Sequence, residues 1–324
     1  MRYDEQDRES KNIEDRRGDS SGGGGSIFGD MGGAQGGGRG GFSLTTMLII
    51  GAVMLFFGFN PLDLLKGGIP NMGQVPQMPQ ADGGRTAGSS RQPFEIPGLP
   101  GGKQAGEASN DEMKKFVAHV LADTEEVWGR VFKTFGKTYK EPQLVIFDRS
   151  TRTACGPGQT AMGPFYCPVD QKVYIDLAFY DELKRRFNAP GEFAQAYVIA
   201  HEVGHHVQTL LGIADRVQQM KEQLDQRQGN QVQVRMELQA DCLAGVWASL
   251  NDQLNKRLQP GDIESGLNAA AQIGDDMIQR KTMGRIVPDA FTHGTSAQRT
   301  RWFKQGFATG RIDQCDTFNA RDLG

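Results

Sequence analysis

Residues 198–208 read VIAHEVGHHVQ, and three of the chain's five histidines stand within six of these positions. The flanking residues predict a helix from about Glu192 to Leu211, with Gly212 as its stop. On a helix, positions i and i+4 share a face, so the imidazoles of His201 and His205 can reach one ion. Glu202, one position on, borders the same site and can touch a metal-bound water without being a ligand. This is the HExxH arrangement of two zinc ligands and a general base. An amphipathic helix with solvated His and Glu is the plain alternative. Against it, Tyr197, Val198, Ile199, Val203 and Val207 make the helix apolar nearly all round, and a buried His-His-Glu set needs a partner. Gly204 allows another backbone to come close. His206 is rotated by about 100° from His205 and faces elsewhere, packed or at the surface.

A catalytic zinc takes three protein ligands and keeps an open position for water. No HExxHxxGxxH continuation is present, so the third ligand is sought downstream in RMELQADCLAGVWA, residues 235–248. Glu237 and Asp241 are four apart on one helical face of an otherwise apolar stretch. Glu237 as ligand, with Asp241 accepting a ligand imidazole N–H, completes a site for one zinc per chain. Asp241 and Asp215 are the alternatives for third ligand.

Around this site the pattern is mainly helical. Met113, Phe116, Val117, Val120, Leu121, Val127, Trp128 and Val131 recur at helical spacing, after Ser109 or Asn110 as a cap. Pro142 ends that region, and QLVIF (143–147) reads as a short buried strand. Residues 158–176 predict two short strands around a turn, with Pro168 at an edge position. Further helices are expected over 214–227, 231–256, 262–280 and 296–308, the last opened by a capping box of Thr295 and Gln298. The fold class is α+β, predominantly helical.

The folded domain, 109–324, follows three other segments. Residues 1–41 are polar and then glycine-rich, and read as a disordered tail. Residues 42–62 are apolar, with no charge in the eighteen positions 42–59, which reads as one transmembrane helix. Residues 63–108, rich in Gly, Pro, Gln and Ser, read as a flexible linker. Arg2, Arg8, Lys11, Arg16, Arg17 and Arg39 precede the span and only Lys66 closely follows it, so the positive-inside rule puts the N-terminus in the cytoplasm. The expectation is a single-pass protein of the cell inner membrane, its domain periplasmic or extracellular. Cys155, Cys167, Cys242 and Cys315 fit no CxxC metal pattern. In an oxidising compartment a local Cys155–Cys167 pair would leave Cys242 with Cys315; four buried thiols are the alternative. With 36 basic against 39 acidic residues the formal net charge is −3, and no basic stripe suggests a nucleic-acid partner.

HEVGHH with ELQADCLAG resembles the bacterial neutral zinc metallopeptidase family of single-pass membrane proteins, and more distantly the gluzincins, including the CAAX-prenyl-protease group. The resemblance spans roughly 110–320 and extends to the N-terminal apolar segment. It implies a zincin-like fold with a small sheet whose edge strand lines the cleft, the strand near 171–176 holding an extended peptide or protein substrate. FTHGTSAQR (291–299) resembles the His-Pro…Arg segment of the prenyl-protease group, with Gly294 in place of Pro. His293 could then donate to the developing oxyanion; alternatively it packs at a helix start and Arg299 bonds nearby backbone. The second oxyanion donor beside zinc is His293 or a cleft tyrosine such as Tyr174. His119 reads as structural, and Asp275 and Asp276 as a solvated pair. The expected activity is peptide-bond hydrolysis by a zinc-activated water, with Glu202 as general base. The rival is a catalytically silent or latent tethered zinc domain that serves as an envelope interaction scaffold.

Overall fold

A computed structural model describes residues 1–19 and 105–324, Arg186 excepted. The apolar stretch 42–62 and most of the linker lie outside the described residues; among these, no helix is long and apolar enough to cross a membrane. The chain is α+β and mostly helical.

Helix α1 (Ala105–Thr134) starts ahead of the expected Ser109 cap and stops before Gly136, which takes φ 66°. Its periodic apolar residues, Val117, Val120, Leu121, Val127, Trp128 and Phe132, are buried in the main core. Strand β2 (Gln143–Phe147) is buried on both faces: Leu144 and Ile146 join the main core, while Val145 and Phe147 pack with Cys167 and Tyr174 on the other side. That two-sided burial is why QLVIF reads as a continuous apolar run.

A hairpin of β3 (Ser150–Thr153) and β4 (Gly156–Gln159) follows, then β5 (Phe165–Cys167) and β6 (Lys172–Asp176). β6 runs parallel to β2 and antiparallel to β5. The fourth strand of this sheet is β1, Ile13–Asp15, parallel to β2 with Ile13 opposite Leu144. The order β1-β2-β6-β5 corrects two expectations. Of the expected disordered tail 1–41, residues 1–19 are an ordered part of the fold and residues 20–41 lie outside the described residues. The strand at 172–176 is flanked on both sides, so the free edge beside the metal helix is β5.

Six helices follow β6 and α2 (Ala178–Arg185): α3 (Glu192–Leu210), α4 (Ile213–Glu222), α5 (Gln226–Asn255), α6 (Asp262–Gln272), α7 (Asp275–Met283) and α8 (Ser296–Thr309). Boxes of Asp225 with Gln228 and Thr295 with Gln298 cap α5 and α8. The helix expected over 262–280 is two helices. A Cβ on Gly274 would meet the Ser296 backbone nitrogen at 2.5 Å, so the chain breaks where the 292–296 loop crosses it. α5 and α8 touch backbone to backbone: a Cβ on Gly306 would stand 1.9 Å from the Cys242 carbonyl oxygen. Disulfides join Cys155 to Cys167 and Cys242 to Cys315. The first ties the β3–β4 hairpin to the edge strand, and the second pins the C-terminal segment to α5 beside Asp241.

Candidate metal centre

α3 and α5 cross closely enough that a Cβ on Gly204 would lie 3.1 Å from the Ala240 carbonyl oxygen. This approach brings Glu237 to the two histidines. Its Oε2 lies 3.3 Å from His201 Nε2 and 3.4 Å from His205 Nε2. One donor atom from each of the three falls within 4.8 Å of the others, the only such grouping among the described residues. His201 and Glu237 are buried, and the His205 side chain is 12 % exposed. Asp215 lines the cleft outside this group, and Asp241 serves a different purpose.

Each ligand is held by a partner. His201 Nδ1 meets Asp241 Oδ1 at 2.9 Å and His205 Nδ1 meets Gln208 Oε1 at 2.8 Å. Both acceptors call the proton to Nδ1 and leave the Nε2 lone pairs aimed at the shared point. The Gln208 amide is fixed in turn, since its Nε2 donates to the Met236 carbonyl at 2.8 Å. Glu237 Oε1 accepts from Gln233 Nε2 at 2.8 Å, and Gln233 Oε1 accepts from Lys221 Nζ at 2.8 Å. One carboxylate oxygen is thereby occupied and the other faces the histidines. Two nitrogen lone pairs and a carboxylate oxygen, each oriented from behind, fit a zinc ion.

Asp241 is the centre of a buried network. Arg299 donates to it through Nε at 2.9 Å and Nη2 at 3.0 Å, and Tyr197 through its hydroxyl at 2.5 Å. Arg299 therefore bonds far more than nearby backbone: it fixes the carboxylate that orients His201. Burial alone would raise the Asp241 pKa, but Arg299 and His201 outweigh it and hold it at about 2. Burial would lower the pKa of His201, yet the charge and hydrogen bond of Asp241, with help from Glu237, carry it up to about 10. Glu237 is pulled well below the usual carboxylate range against its burial, by the histidines. A site that draws protons onto its imidazoles and keeps its carboxylates ionised is electrostatically suited to a cation.

The centre opens into a cleft of about 840 Å³, walled by apolar side chains such as Phe165, Phe179, Met236, Ile273 and Ile278. Glu202 lines it, and burial raises its pKa. His293 lines it too, from a loop that Asp275 organises. Asp275 Oδ2 accepts the backbone N–H groups of Thr292, His293 and Gly294 at 2.7, 2.6 and 3.0 Å, while His293 Nδ1 lies 3.2 Å from Oδ1. Asp276 accepts from the Ser296 backbone and hydroxyl, both at 2.7 Å. These two aspartates are thus loop anchors, not a solvated pair. Tyr174 is no cleft residue; it is buried beneath Phe165 with its hydroxyl on Asp170 at 2.8 Å.

His206, on the far side of α3, holds the edge strand. The Lys140 carbonyl can only accept, so Nε2 donates to it at 2.7 Å and Nδ1 takes the Tyr166 hydroxyl at 3.0 Å. Burial lowers its pKa to about 4, which keeps it neutral for both bonds. His206→Phe strands the tyrosine hydroxyl and the carbonyl and is expected to cost roughly 1–3 kcal/mol in urea unfolding. Zinc affinity should be unchanged, because His206 faces away from the centre; a parallel loss of zinc would contradict this division of labour.

The sequence profile described as "Putative neutral zinc metallopeptidase" matches residues 1–318. The chain is 46 % identical over 311 residues to the uncharacterized protein YpfJ of Escherichia coli (strain K12), covering 96 % of both chains. It is 42 % identical over 224 residues to the uncharacterized protein Rv2575 of Mycobacterium tuberculosis (strain ATCC 25618 / H37Rv), covering 66 % of this chain and 74 % of that one. No solved structure matches. With its profile matched along nearly the whole sequence and its two histidines and glutamate brought to one point, the chain belongs to the neutral zinc metallopeptidase family.

Proposed function

We propose that this protein is a zinc-dependent endopeptidase with one zinc held by His201, His205 and Glu237. The observation that carries the reading is the convergence of those three donors beside Glu202 in an apolar cleft. Bound zinc supplies a Lewis acid for the scissile carbonyl and brings the pKa of its water toward 7. Glu202 takes the proton of the attacking water and hands it to the leaving amine. Its burial raises its proton affinity, which suits a group that must accept and then release within one turnover. His293, whose protonated form the neighbouring Asp275 carboxylate favours, donates from Nε2 to the developing oxyanion. The substrate lies extended along β5, with apolar side chains toward the cleft walls.

The two disulfides support a working site in an oxidising compartment outside the cytoplasm. The uncharged stretch 42–59 supports attachment to the cell inner membrane.

Metal analysis of the full chain is the test. About one zinc per chain is expected, reduced to a small fraction in Glu237→Ala, because the site rarely pre-forms without all its ligands. Undiminished zinc in that variant would move the third ligand elsewhere. No zinc in the properly oxidised wild type would remove the reading.

A further inference from the structure

We infer that residues 1–19 and the metal-bearing domain occupy the same compartment, so the chain between them returns to the side of the membrane that it left. The expected single crossing at 42–62 would place them on opposite sides.

The N-terminal segment is wired into the domain along its whole length. Met1 is buried in the main core. Tyr3 stacks on His119 with ring centroids 5.0 Å apart, donates its hydroxyl to Asp123 at 3.0 Å, and lies 4.7 Å beneath the Arg257 guanidinium. The Ser10 backbone N–H bonds the Ala118 carbonyl at 3.0 Å, and Asn12 Nδ2 bridges Glu125 and Glu141 at 2.8 Å each. β1 then pairs with β2, and Lys172 and Lys114 reach Glu14 and Asp15 at 2.8 Å. Such a set of direct contacts cannot form across a hydrocarbon layer of about 30 Å.

The two ends of the intervening stretch also meet. Arg17 Nη1 donates to the Asn110 carbonyl at 3.3 Å, and Arg17 Nη2 lies 3.6 Å from Asp111. The chain leaves the fold and re-enters it at one spot, so any membrane between must be crossed an even number of times. Between residues 20 and 104 only one uncharged run reaches eighteen residues. Two helical crossings need about twice that length.

Three of the six basic residues ahead of the apolar stretch are paired inside the fold. Arg8 pairs with Glu125, Arg16 with Glu14 at 2.6 Å, and Arg17 with Asp15 at 2.7 Å.

The test uses the full chain in its own membranes, with one thiol added at exposed Glu5 (Glu5→Cys) or exposed Arg321 (Arg321→Cys); the four native cysteines are already bonded. A membrane-impermeant maleimide is applied to spheroplasts and to inverted vesicles. Both thiols should label from the same face, with closely similar ratios before and after permeabilisation. One labelling only from outside and the other only from inside overturns the inference. Carbodiimide coupling of the unmodified chain in membranes gives an independent reading. An intrachain Glu14–Lys172 cross-link is expected in mass spectra, and its absence from membrane-bound protein also overturns the inference. Neither measurement depends on peptidase activity or on zinc.

Discussion

Glu202→Gln is expected to keep its zinc and lose peptide cleavage by about 10²–10⁴-fold, the range for a positioned general base. The amide matches the carboxylate in shape but cannot take a proton from the attacking water. Glu202 touches the cleft and is absent from the His201, His205 and Glu237 group, so the metal should remain. Stopped assays on a peptide library with parallel metal analysis decide it. A variant that cleaves at the wild-type rate with zinc bound would require another base.

Arg299→Met carries the second large effect. Asp241 is 0 % and Arg299 2 % exposed, so the variant leaves a carboxylate in the core without its counter-charge. Breaking such a pair from one side costs about 3–5 kcal/mol. The Asp241 pKa of about 2 lies below the unfolded value, so the pair's contribution is full above about pH 4 and is lost as pH falls through 2. Urea unfolding at neutral pH should show the deficit, and the gap between variant and wild type should shrink in acid. Zinc affinity should also fall, by roughly 10–100-fold, since His201 loses the carboxylate geometry that orients it. A stability change below about 1 kcal/mol would mean that the network reorganises around the gap.

What the sequence reveals here depends on the distance between interacting residues. HExxH and ExxxD are legible because helical spacing alone makes His201 and His205, or Glu237 and Asp241, neighbours. Asp241 is readable as a partner of a ligand for the same reason. Gln208 and Gln233 are less visible, although each stands three or four residues from the ligand it holds; glutamine is common on helix surfaces and carries no charge to flag it. Arg299 lies 58 residues beyond Asp241, and only the fold joins them. Strand order is likewise absent from local pattern: β5 and β6 both read as strands, but which keeps a free edge depends on β2 and β1. The N-terminal segment carries the weakest local signal. Its charges resemble those of a solvated tail, β1 is three residues long, and its partners begin about a hundred residues later.

That last separation has a consequence for the order of events during synthesis. β1 is made more than a hundred residues before its partner β2, and Arg257 and Asp123 must be in place to hold Tyr3. Closing so long a loop costs entropy before any contact returns it, and such non-local pairings form slowly. The segment that carries β1 is thus among the last to find its place. Until they do, β2 presents an unpaired edge to every other nascent chain, and the interval before closure is when this protein is most exposed to aggregation.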